Sequence, residues 1–257
     1  MFETHKPDSR FAVLRVPVDA IQIPEVIEWI ETQISIRSRC RFIAVTGMHG
    51  VVEAQHDPSF RYMLENADLV VPDGMPLVWL GRKRGFDLKR RVYGPELLDC
   101  FCRVTRAKHR HFFYGGAPGV AEQLAYRLSY KYGVSIAGSY SPPFRPVTSE
   151  EDEEIVHLLN ESSADVVWVG LSTPKQEQWM HQHRDLLRVP VLVGVGAAFD
   201  LLTGRVRQAP LWMRERGLEW IFRLSQEPGR LWRRYLIYGS EFAFRVSLEA
   251  LGLKSFQ

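Results

Sequence analysis

Asp73 is the carboxylate of this sequence that is best placed for proton transfer. It lies between Pro72 and Gly74, directly after a run of branched apolar residues that is typical of a buried strand. A carboxylate at the end of a strand can point into a crevice and act as a general base. Pro-Asp-Gly is also a common turn sequence, so the residues alone leave a catalytic and a purely structural interpretation open.

A glycine-rich segment, Gly115-Gly116-Ala117-Pro118-Gly119, is the second feature with chemical potential. Glycines allow a backbone to approach a phosphate closely, and the N-terminus of a following helix attracts anions. Gly115, Gly116 and Gly119 are therefore candidates for a phosphate-binding loop. The segment is not a Walker A loop, because no Gly-Lys-Ser/Thr follows it, and the Gly-x-Gly-x-x-Gly spacing of dinucleotide-binding proteins is absent.

Two histidine pairs, His109 with His111 and His181 with His183, have residue types that can bind metals. Residues two positions apart on a helix do not face each other, and no Cys, Asp or Glu completes a ligand set. We therefore predict no metal site and expect His181 and His183 to lie at the surface. No organic cofactor is predicted either.

The elements that would position these residues alternate between strands and helices. Val- and Ile-rich runs predict strands over residues 12–18, 41–46, 68–71, 111–114, 134–139, 165–169 and 191–195. Helical spacing predicts helices over residues 24–36, 57–65, 95–106, 120–132, 149–161 and 174–187, with Ser149 as an N-cap. This alternation predicts an α/β fold, a Rossmann-like, mostly parallel sheet with helices on both faces. Ligands of such sheets collect at the carboxyl ends of the strands, where Asp73 and the glycine segment lie.

The pattern changes after about residue 203, where strand signals stop. We predict a Rossmann-like core over residues 1–203 and a helical C-terminal appendage over residues 204–257, divided into two helices by Pro228-Gly229. Residues 201–257 contain ten Lys and Arg and five Asp and Glu, a charge of +5, whereas the whole chain carries +3. Trp and Tyr alternate with Arg there, which suits either the headgroup layer of an anionic membrane or a solvated face over a core.

Composition excludes several classes of protein. A hydrophobic fraction of 46% with 25% charged residues is ordinary for a globular domain, which excludes disordered and fibrous chains. The small net charge does not indicate nucleic-acid binding. Cys40, Cys100 and Cys102 have neither zinc-site spacing nor an even number, so reduced thiols in the cytoplasm are expected. No secretion signal follows the charged residues 1–10, and no apolar stretch approaches the roughly 20 residues of a spanning helix.

Five motifs occur in order along the chain: LVVPDGMPLVW, RVYG, FFYGGAPGVAE, VGLSTPKQEQWM and VLVGVGAAFDLLTGRVRQAPLWMRERGLEWIFRL. Together, over about residues 10–234, they resemble the WecG/TagA/CpsF family of bacterial glycosyltransferases, glycosyltransferase family 26. The resemblance implies an inverting, metal-independent transfer of a sugar from a UDP-sugar to a polyprenyl-diphosphate-linked sugar. The transfer would occur at the inner face of the plasma membrane, in surface polysaccharide assembly. The chain also lacks Asp-x-Asp, through which many nucleotide-sugar transferases hold a divalent cation.

The resemblance also implies roles for individual residues by their position in these motifs. Asp73 matches the proposed catalytic base, and Thr46 matches a threonine that contacts the sugar. Arg91 matches an active-site arginine, and Gln176 matches a polar substrate contact in the Pro-x-Gln-Glu motif. The family supplies basic residues from its appendage to close over the nucleotide diphosphate, and those that match here are Arg223, Arg230 and Arg233.

One position departs from the family pattern. Many relatives have Thr-x-Asn after the second strand, whereas Thr46-Gly47-Met48 places methionine at the asparagine position, next to His49. We retain His49 as a substrate-binding candidate. The donor sugar stays open between N-acetylmannosamine, its uronate, glucose and other sugars, because that asparagine is a candidate for recognising an N-acetylated sugar.

The predicted partners are a UDP-sugar donor, a polyprenyl-diphosphate-linked acceptor and an anionic membrane surface, with no nucleic acid. The oligomeric state is open, including a homo-oligomer. One alternative is a non-catalytic, nucleotide-binding scaffold of a polysaccharide assembly complex. Another is a nicotinamide- or flavin-dependent oxidoreductase, although the sequence lacks the dinucleotide-binding fingerprint.

Overall fold

The computed structural model describes residues 10–253, so residues 1–9, on which the prediction of no secretion signal rests, lie outside the described residues. The chain forms two compact units. Among the described residues, the first comprises 10–22, 46–93 and 207–253, and the second comprises 23–45 and 94–206. This grouping differs from a division at residue 203, because residues 46–93 group with the C-terminal residues. The division into a catalytic core and an appendage stays a prediction.

A parallel sheet is the main β structure. The strands are β1 (Arg10–Val13), β2 (Val16–Asp19), β3 (Arg41–Thr46), β4 (Leu69–Pro72), β5 (Arg110–Gly115), β6 (Ser135–Tyr140), β7 (Val166–Gly170) and β8 (Val191–Gly194). Six of them form a parallel sheet flanked by helices, in the order β4-β3-β8-β7-β5-β6. Strands β4 and β8 are buried at every position, as strands covered on both faces are. The predicted α/β fold class is confirmed.

Most predicted helices are found within a few residues of their predicted bounds. The helices are α1 (Ile23–Ile36), α2 (Met48–His56), α3 (Pro58–Glu65), α4 (Met75–Lys83), α5 (Gly94–Thr105), α6 (Val120–Tyr132), α7 (Ser149–Glu161), α8 (Lys175–His183), α9 (Ala198–Thr203), α10 (Leu211–Glu215), α11 (Glu219–Gln226), α12 (Pro228–Trp232) and α13 (Tyr238–Ala250). Helices α2, α4 and α9 were not predicted. Their N-caps are Gly47, Gly74 and Ala197, none of which makes a side-chain capping hydrogen bond that would mark a helix start in the sequence.

The prediction of one strand over residues 12–18 is wrong, because this segment is an antiparallel hairpin of β1 and β2. Its two turn residues, Leu14 and Arg15, have φ angles of 48° and 73°. Two positive φ angles are typical of a type I′ turn, which Asn-Gly or Asp-Gly usually signals. Neither pair is present here, and the buried Leu14 made the segment look like a continuous strand.

The N-cap of α7 is Thr148, not Ser149 as predicted. The Thr148 hydroxyl accepts a hydrogen bond from the Glu151 N–H at 3.3 Å, and the Thr148 N–H donates to Glu151 Oε2 at 2.9 Å. This reciprocal pair is a capping box, which requires Thr three residues before Glu. Ser149 is the first residue of the helix.

The expected surface position of His183 is also wrong. His183 is buried and stacks on Trp179, with ring centroids 4.5 Å apart. Its Nδ1 lies 2.7 Å from the Trp179 carbonyl oxygen and its Nε2 lies 3.0 Å from both carboxylate oxygens of Asp152. Trp179 and His183 are four residues apart, so they share the inward face of α8.

In the first unit, the hairpin is attached to β4 through Asp19. Arg10 donates to the two carboxylate oxygens of Asp19 at 2.6 and 3.0 Å. The Val70 N–H donates to Asp19 Oδ2 at 2.7 Å, in a fully buried position. A charge-assisted pair that also satisfies a backbone donor fixes the strand whose end carries Asp73.

The C-terminal segment of the first unit is helical, as predicted. The predicted break at Pro228-Gly229 is confirmed, since α11 ends at Gln226 and Pro228 lies in the first turn of α12. The segment is more divided than two helices. A π-helical turn over Arg233–Ile237 joins α12 to α13, and α13 packs against α2.

Within residues 10–253, none of the helices has the length and apolar character that are needed to cross a bilayer.

Candidate active site

The backbone around Asp73 is held on both sides within the first unit. The Asp73 N–H donates to the Thr46 carbonyl at 2.8 Å, and the Val92 N–H donates to the Pro72 carbonyl at 2.8 Å. Gly74 has a φ of 116° and begins α4, so the chain turns sharply directly after Asp73. These contacts place residues 46, 73 and 92 side by side.

Gly47 allows this close approach. A Cβ atom at position 47 would lie 2.4 Å from the Asp73 carbonyl oxygen, which no real side chain could do. The neighbouring Thr46 is buried, and its Oγ1 has no hydrogen-bond partner among the described residues. A buried hydroxyl without a partner is uncommon, which keeps Thr46 a candidate for a ligand contact.

A cavity of about 490 Å³ lies within the first unit, next to Asp73. Its wall is formed by residues that follow β3 and β4, by the segment that contains Arg91 and Tyr93, and by the C-terminal helices. The charged side chains of the wall are those of Asp73, Arg91, Glu219, Arg223 and Arg234.

The Asp73 carboxylate is poorly compensated. Its Oδ1 is buried and accepts no hydrogen bond, and Arg91 Nη1 is 4.0 Å away, at the limit of an ion pair. Burial raises the pKa of Asp73 above its ordinary value, while the charge of Arg91 acts in the opposite direction. A carboxylate oxygen that is shielded from water and accepts no hydrogen bond is a stronger base than a solvated one, as general base catalysis requires.

Arg91 is engaged by the C-terminal segment. It forms an ion pair with Glu219, the first residue of α11, and lies over the Tyr93 ring at 4.1 Å from its centroid. The Tyr93 hydroxyl donates to Glu219 Oε1 at 2.7 Å. Burial raises the pKa of Tyr93, which keeps this donor neutral. Glu219 is buried, so the ion pair is well shielded from water.

Arg223 and Arg234 have no such partner. Both line the cavity, and neither forms an ion pair or a hydrogen bond with any residue that the structure describes. Burial lowers the pKa of Arg234. Because a poorly solvated charge without a partner is costly, two unpaired guanidinium groups that line one cavity favour a multiply charged anion there.

His49 lines the cavity at the start of α2. Its ring stacks on Tyr238 of α13, with centroids 5.1 Å apart, and its buried Nδ1 has no hydrogen-bond partner among residues 10–253. Burial, together with the charge of Arg234, lowers the pKa of His49 to about 3. His49 is therefore neutral near pH 7 and can offer a hydrogen bond to an uncharged polar group.

Two arginines that the resemblance assigns to the diphosphate lie outside the cavity wall. Arg230 is exposed and pairs with Glu227 at 2.5 Å. Arg233 is exposed and lies over the Trp232 ring, 5.3 Å from its centroid. The structure thus brings Asp73, Thr46, His49, Arg91 and Arg223 into one unit without these two, whose substrate contact stays a prediction.

Gln176 belongs to the second unit, where both ends of its amide are already engaged. Its Nε2 donates to Glu177 Oε1 at 2.9 Å, and its Oε1 accepts from the Gly196 N–H at 2.9 Å. The side chain is buried. This geometry makes Gln176 a link between α8 and the segment after β8, and its predicted substrate contact remains untested.

The glycine segment also lies in the second unit. The structural reason for a glycine differs from one of its positions to the next. A Cβ atom on Gly115 would lie 2.7 Å from the Gly170 backbone, and the Gly116 N–H donates to the Gly170 carbonyl at 3.1 Å. Gly119 has a φ of 81°, caps α6 and has open space around it. Close contact of β5 with β7 therefore accounts for Gly115, and phosphate binding by the segment stays a prediction.

Sequence reasoning missed several residues of the cavity wall, and Tyr93, Glu219 and Arg234 are those among them on which the site geometry depends. Tyr93 and Glu219 lie inside the motifs RVYG and GLEW, so the motifs were a usable signal. No sequence signal pointed to Arg234, because the neighbouring Arg233 matched the arginine of the family motif. No group of three or more His, Cys, Asp or Glu side chains that could hold a metal ion occurs between residues 10 and 253.

The sequence is similar to known proteins over most of its length. The profile described as the glycosyl transferase WecG/TagA/CpsF family matches residues 11–255. A Bacillus spizizenii protein is 31% identical over 217 residues, which are 84% of this chain and 82% of the relative. A Bacillus subtilis protein is 30% identical over 78% of this chain and 76% of its own length. A Staphylococcus aureus protein is 26% identical over 90% of both chains.

These three relatives share the name N-acetylglucosaminyldiphosphoundecaprenol N-acetyl-beta-D-mannosaminyltransferase. Each therefore transfers a sugar to a lipid-linked acceptor. The chain belongs to the WecG/TagA/CpsF family of glycosyltransferases, and the resemblance found in its motifs is confirmed.

Proposed function

We propose that this protein is an inverting, metal-independent glycosyltransferase that moves a sugar from a UDP-sugar to a polyprenyl-diphosphate-linked sugar in bacterial surface polysaccharide biosynthesis. One observation carries the proposal. The Asp73 carboxylate, whose buried Oδ1 accepts no hydrogen bond, faces the same cavity as the unpaired guanidinium groups of Arg223 and Arg234. A base beside two cations matches a reaction in which a hydroxyl is deprotonated while a diphosphate departs.

Asp73 is the general base of this reaction. It takes the proton from the acceptor hydroxyl, whose oxygen forms a bond to the anomeric carbon of the donor. The bond from that carbon to the diphosphate oxygen breaks, and UDP leaves with the electron pair. A single direct displacement of this kind inverts the anomeric configuration. The only other carboxylate of the described cavity wall, Glu219, is engaged by Arg91 and Tyr93, so that wall offers no free carboxylate as the nucleophile of a double displacement.

Arg223 and Arg234 stabilise the leaving diphosphate. Negative charge builds on this group as an oxocarbenium-like centre develops. Preorganised cations in a desolvated cavity stabilise such charge without reorganising at the moment of reaction. Thr46 and His49 would contact the sugars through the polar atoms that have no partner in the free protein.

The acceptor lipid and an anionic membrane are contacted by the outer side of the C-terminal segment, which makes the protein a peripheral protein of the cytoplasmic membrane face. Exposed Arg230 and Arg233 occur in this segment among large exposed apolar side chains. Aromatic and basic residues mixed in this way bind the headgroup layer of anionic membranes. The apolar members include Leu211, Trp212, Trp232, Ile237 and Phe244.

A transfer assay tests the proposal. UDP-N-acetylmannosamine, its uronate and UDP-glucose would each be offered with a short-chain N-acetylglucosamine-diphosphate-lipid. The names of the relatives make the first donor and this acceptor the reference pair, while Met48 in place of asparagine makes the others necessary. We expect transfer from one donor, with the product anomer opposite to that of the donor. Binding of UDP-sugars without transfer of any would instead favour the scaffold function.

A further inference from the structure

Arg91 has two carboxylates within reach and is shared unequally between them. It pairs closely with Glu219, whereas its Nη1 stays 4.0 Å from Asp73 Oδ1, which receives no hydrogen bond. The Tyr93 hydroxyl holds Glu219 Oε1 at 2.7 Å on the other side. Glu219 is thus fixed from two directions while Asp73 is left without a hydrogen bond to that oxygen.

We propose that Glu219 is a positioning residue that holds Arg91 away from Asp73 and so keeps the Asp73 carboxylate free to accept a proton. The inference rests on the proposed function in one respect, because it takes Asp73 to be the base. It assigns to Glu219 no contact with substrate.

Competition between the two carboxylates supports this role. They are the only carboxylates among the described residues of the cavity wall. When Glu219 is replaced by an uncharged residue, Asp73 is therefore the remaining carboxylate partner for Arg91. A guanidinium that hydrogen-bonds a carboxylate stabilises its charged form and weakens it as a base.

The direction of the effect on Asp73 follows from the charges that face it. These belong to Arg91, Glu219, Arg223 and Arg234. Removing the negative charge of Glu219 takes away a group that raises the pKa of Asp73. Turning Arg91 towards Asp73 strengthens a group that lowers it. Both changes lower the pKa of Asp73, so removing the charge of Glu219 can only shift that pKa downwards.

The first measurement needs no activity. In the full-length protein without ligand, the Asp73 carboxyl carbon would be titrated by ¹³C NMR and assigned by its absence in Asp73→Asn. In Glu219→Gln we expect the pKa of Asp73 to fall by roughly one unit, the usual effect of a closer opposite charge. The matched control is Glu215→Gln, which neutralises an exposed carboxylate paired with Arg90 at 3.7 Å in the same C-terminal segment. It should leave Asp73 unchanged.

The second measurement is the pH profile of transfer. In Glu219→Gln the acid limb of kcat/KM should move to lower pH, and the plateau should fall by roughly 3- to 10-fold, because a less basic Asp73 is a weaker catalyst. In an Arg91→Gln background the same change should shift the acid limb by less, because only the direct charge of Glu219 then remains to act on Asp73. Glu219→Asp keeps the charge with a shorter reach and should give a smaller shift of the same sign.

The outcomes separate the inference from the function on which it rests. A pKa of Asp73 that is unchanged or raised in Glu219→Gln overturns the positioning role, whatever the activity. A lowered pKa of Asp73 supports the positioning role of Glu219. If the rate profile then has no acid limb at that pKa, Asp73 is not the base. If Glu219→Gln fails to fold, an unchanged pKa in Glu219→Asp overturns the inference.

Discussion

The C-terminal segment contains two kinds of arginine, which differ in what surrounds them. Arg223 and Arg234 line the cavity and have no ion pair among the described residues. Arg230 and Arg233 are exposed, one paired with Glu227 and the other lying over Trp232. We call these the inner pair and the outer pair. The difference shows that one residue type in one short segment occupies two environments, the wall of a cavity and an exposed surface.

Local backbone geometry explains why sequence spacing does not separate the two pairs. Pro228 breaks the helical period between Arg223 and Arg230. The π-helical turn that begins at Arg233 is closed by the Tyr238 N–H donating to the Arg233 carbonyl, five residues back. This extra residue per turn changes which side chains share a face. A helical period of 3.6 residues is therefore not valid across residues 223–238.

The largest effect should come from the base beside the inner pair. Asp73→Asn keeps the size of the side chain but cannot accept the acceptor proton, so kcat should fall by roughly 10²- to 10⁴-fold, as loss of a general base does. The control is Asp87→Asn, an exposed aspartate of the same unit, which should leave kcat unchanged. Near-normal turnover in a folded Asp73→Asn protein would remove Asp73 from the mechanism.

The second effect compares the two pairs directly. Neutralising one inner arginine, in Arg223→Gln or Arg234→Gln, should lower kcat on a soluble short-chain acceptor by roughly 10²-fold, because the leaving diphosphate loses a preorganised cation. Arg233→Gln, adjacent in sequence to Arg234, is the matched control and should change kcat little. If Arg233→Gln were as damaging as Arg234→Gln on the soluble acceptor, the distinction between inner and outer pairs would be lost.

The parallel sheet and most helices could be predicted, because Val- and Ile-rich runs alternate with amphipathic segments. The short helices α2 and α4 could not, because glycine caps them without a side-chain signal. In the site, motif positions predicted Asp73 and Arg91, which the structure brings within 4.0 Å. Arg234 could not be predicted, since the π-helical turn decides which of two adjacent arginines faces the cavity. Glu219 was missed because its role depends on a partner 128 positions away.

The third effect concerns the outer pair and should be seen as weaker binding to anionic membranes. Each basic residue near an anionic surface contributes about 1 kcal/mol, so Arg230→Gln or Arg233→Gln should weaken binding to phosphatidylglycerol liposomes by about fivefold. The loss should shrink at high salt, because the surface potential is screened. Arg207→Gln, a change before the first helix of the segment, is the comparison variant. Unaltered liposome binding in both outer variants would end the membrane role of the outer pair.

The smallest effect is expected from metal removal, and it tests whether the inner pair is sufficient for the leaving group. Many transferases neutralise a departing diphosphate with a divalent cation that acidic side chains hold. The carboxylates of the described cavity wall are Asp73 and Glu219, and Glu219 is engaged by Arg91 and Tyr93. The guanidinium groups of the inner pair have no ion pair among the described residues and are available to bind the diphosphate. After removal of bound ions, activity in excess EDTA should therefore equal that of the untreated protein. In Arg234→Gln, added Mg²⁺ should restore little, because a cation bound only by the diphosphate lacks fixed protein ligands. A rate that collapses on chelation and returns with Mg²⁺ or Mn²⁺ would show that the inner pair does not carry the leaving-group charge by itself.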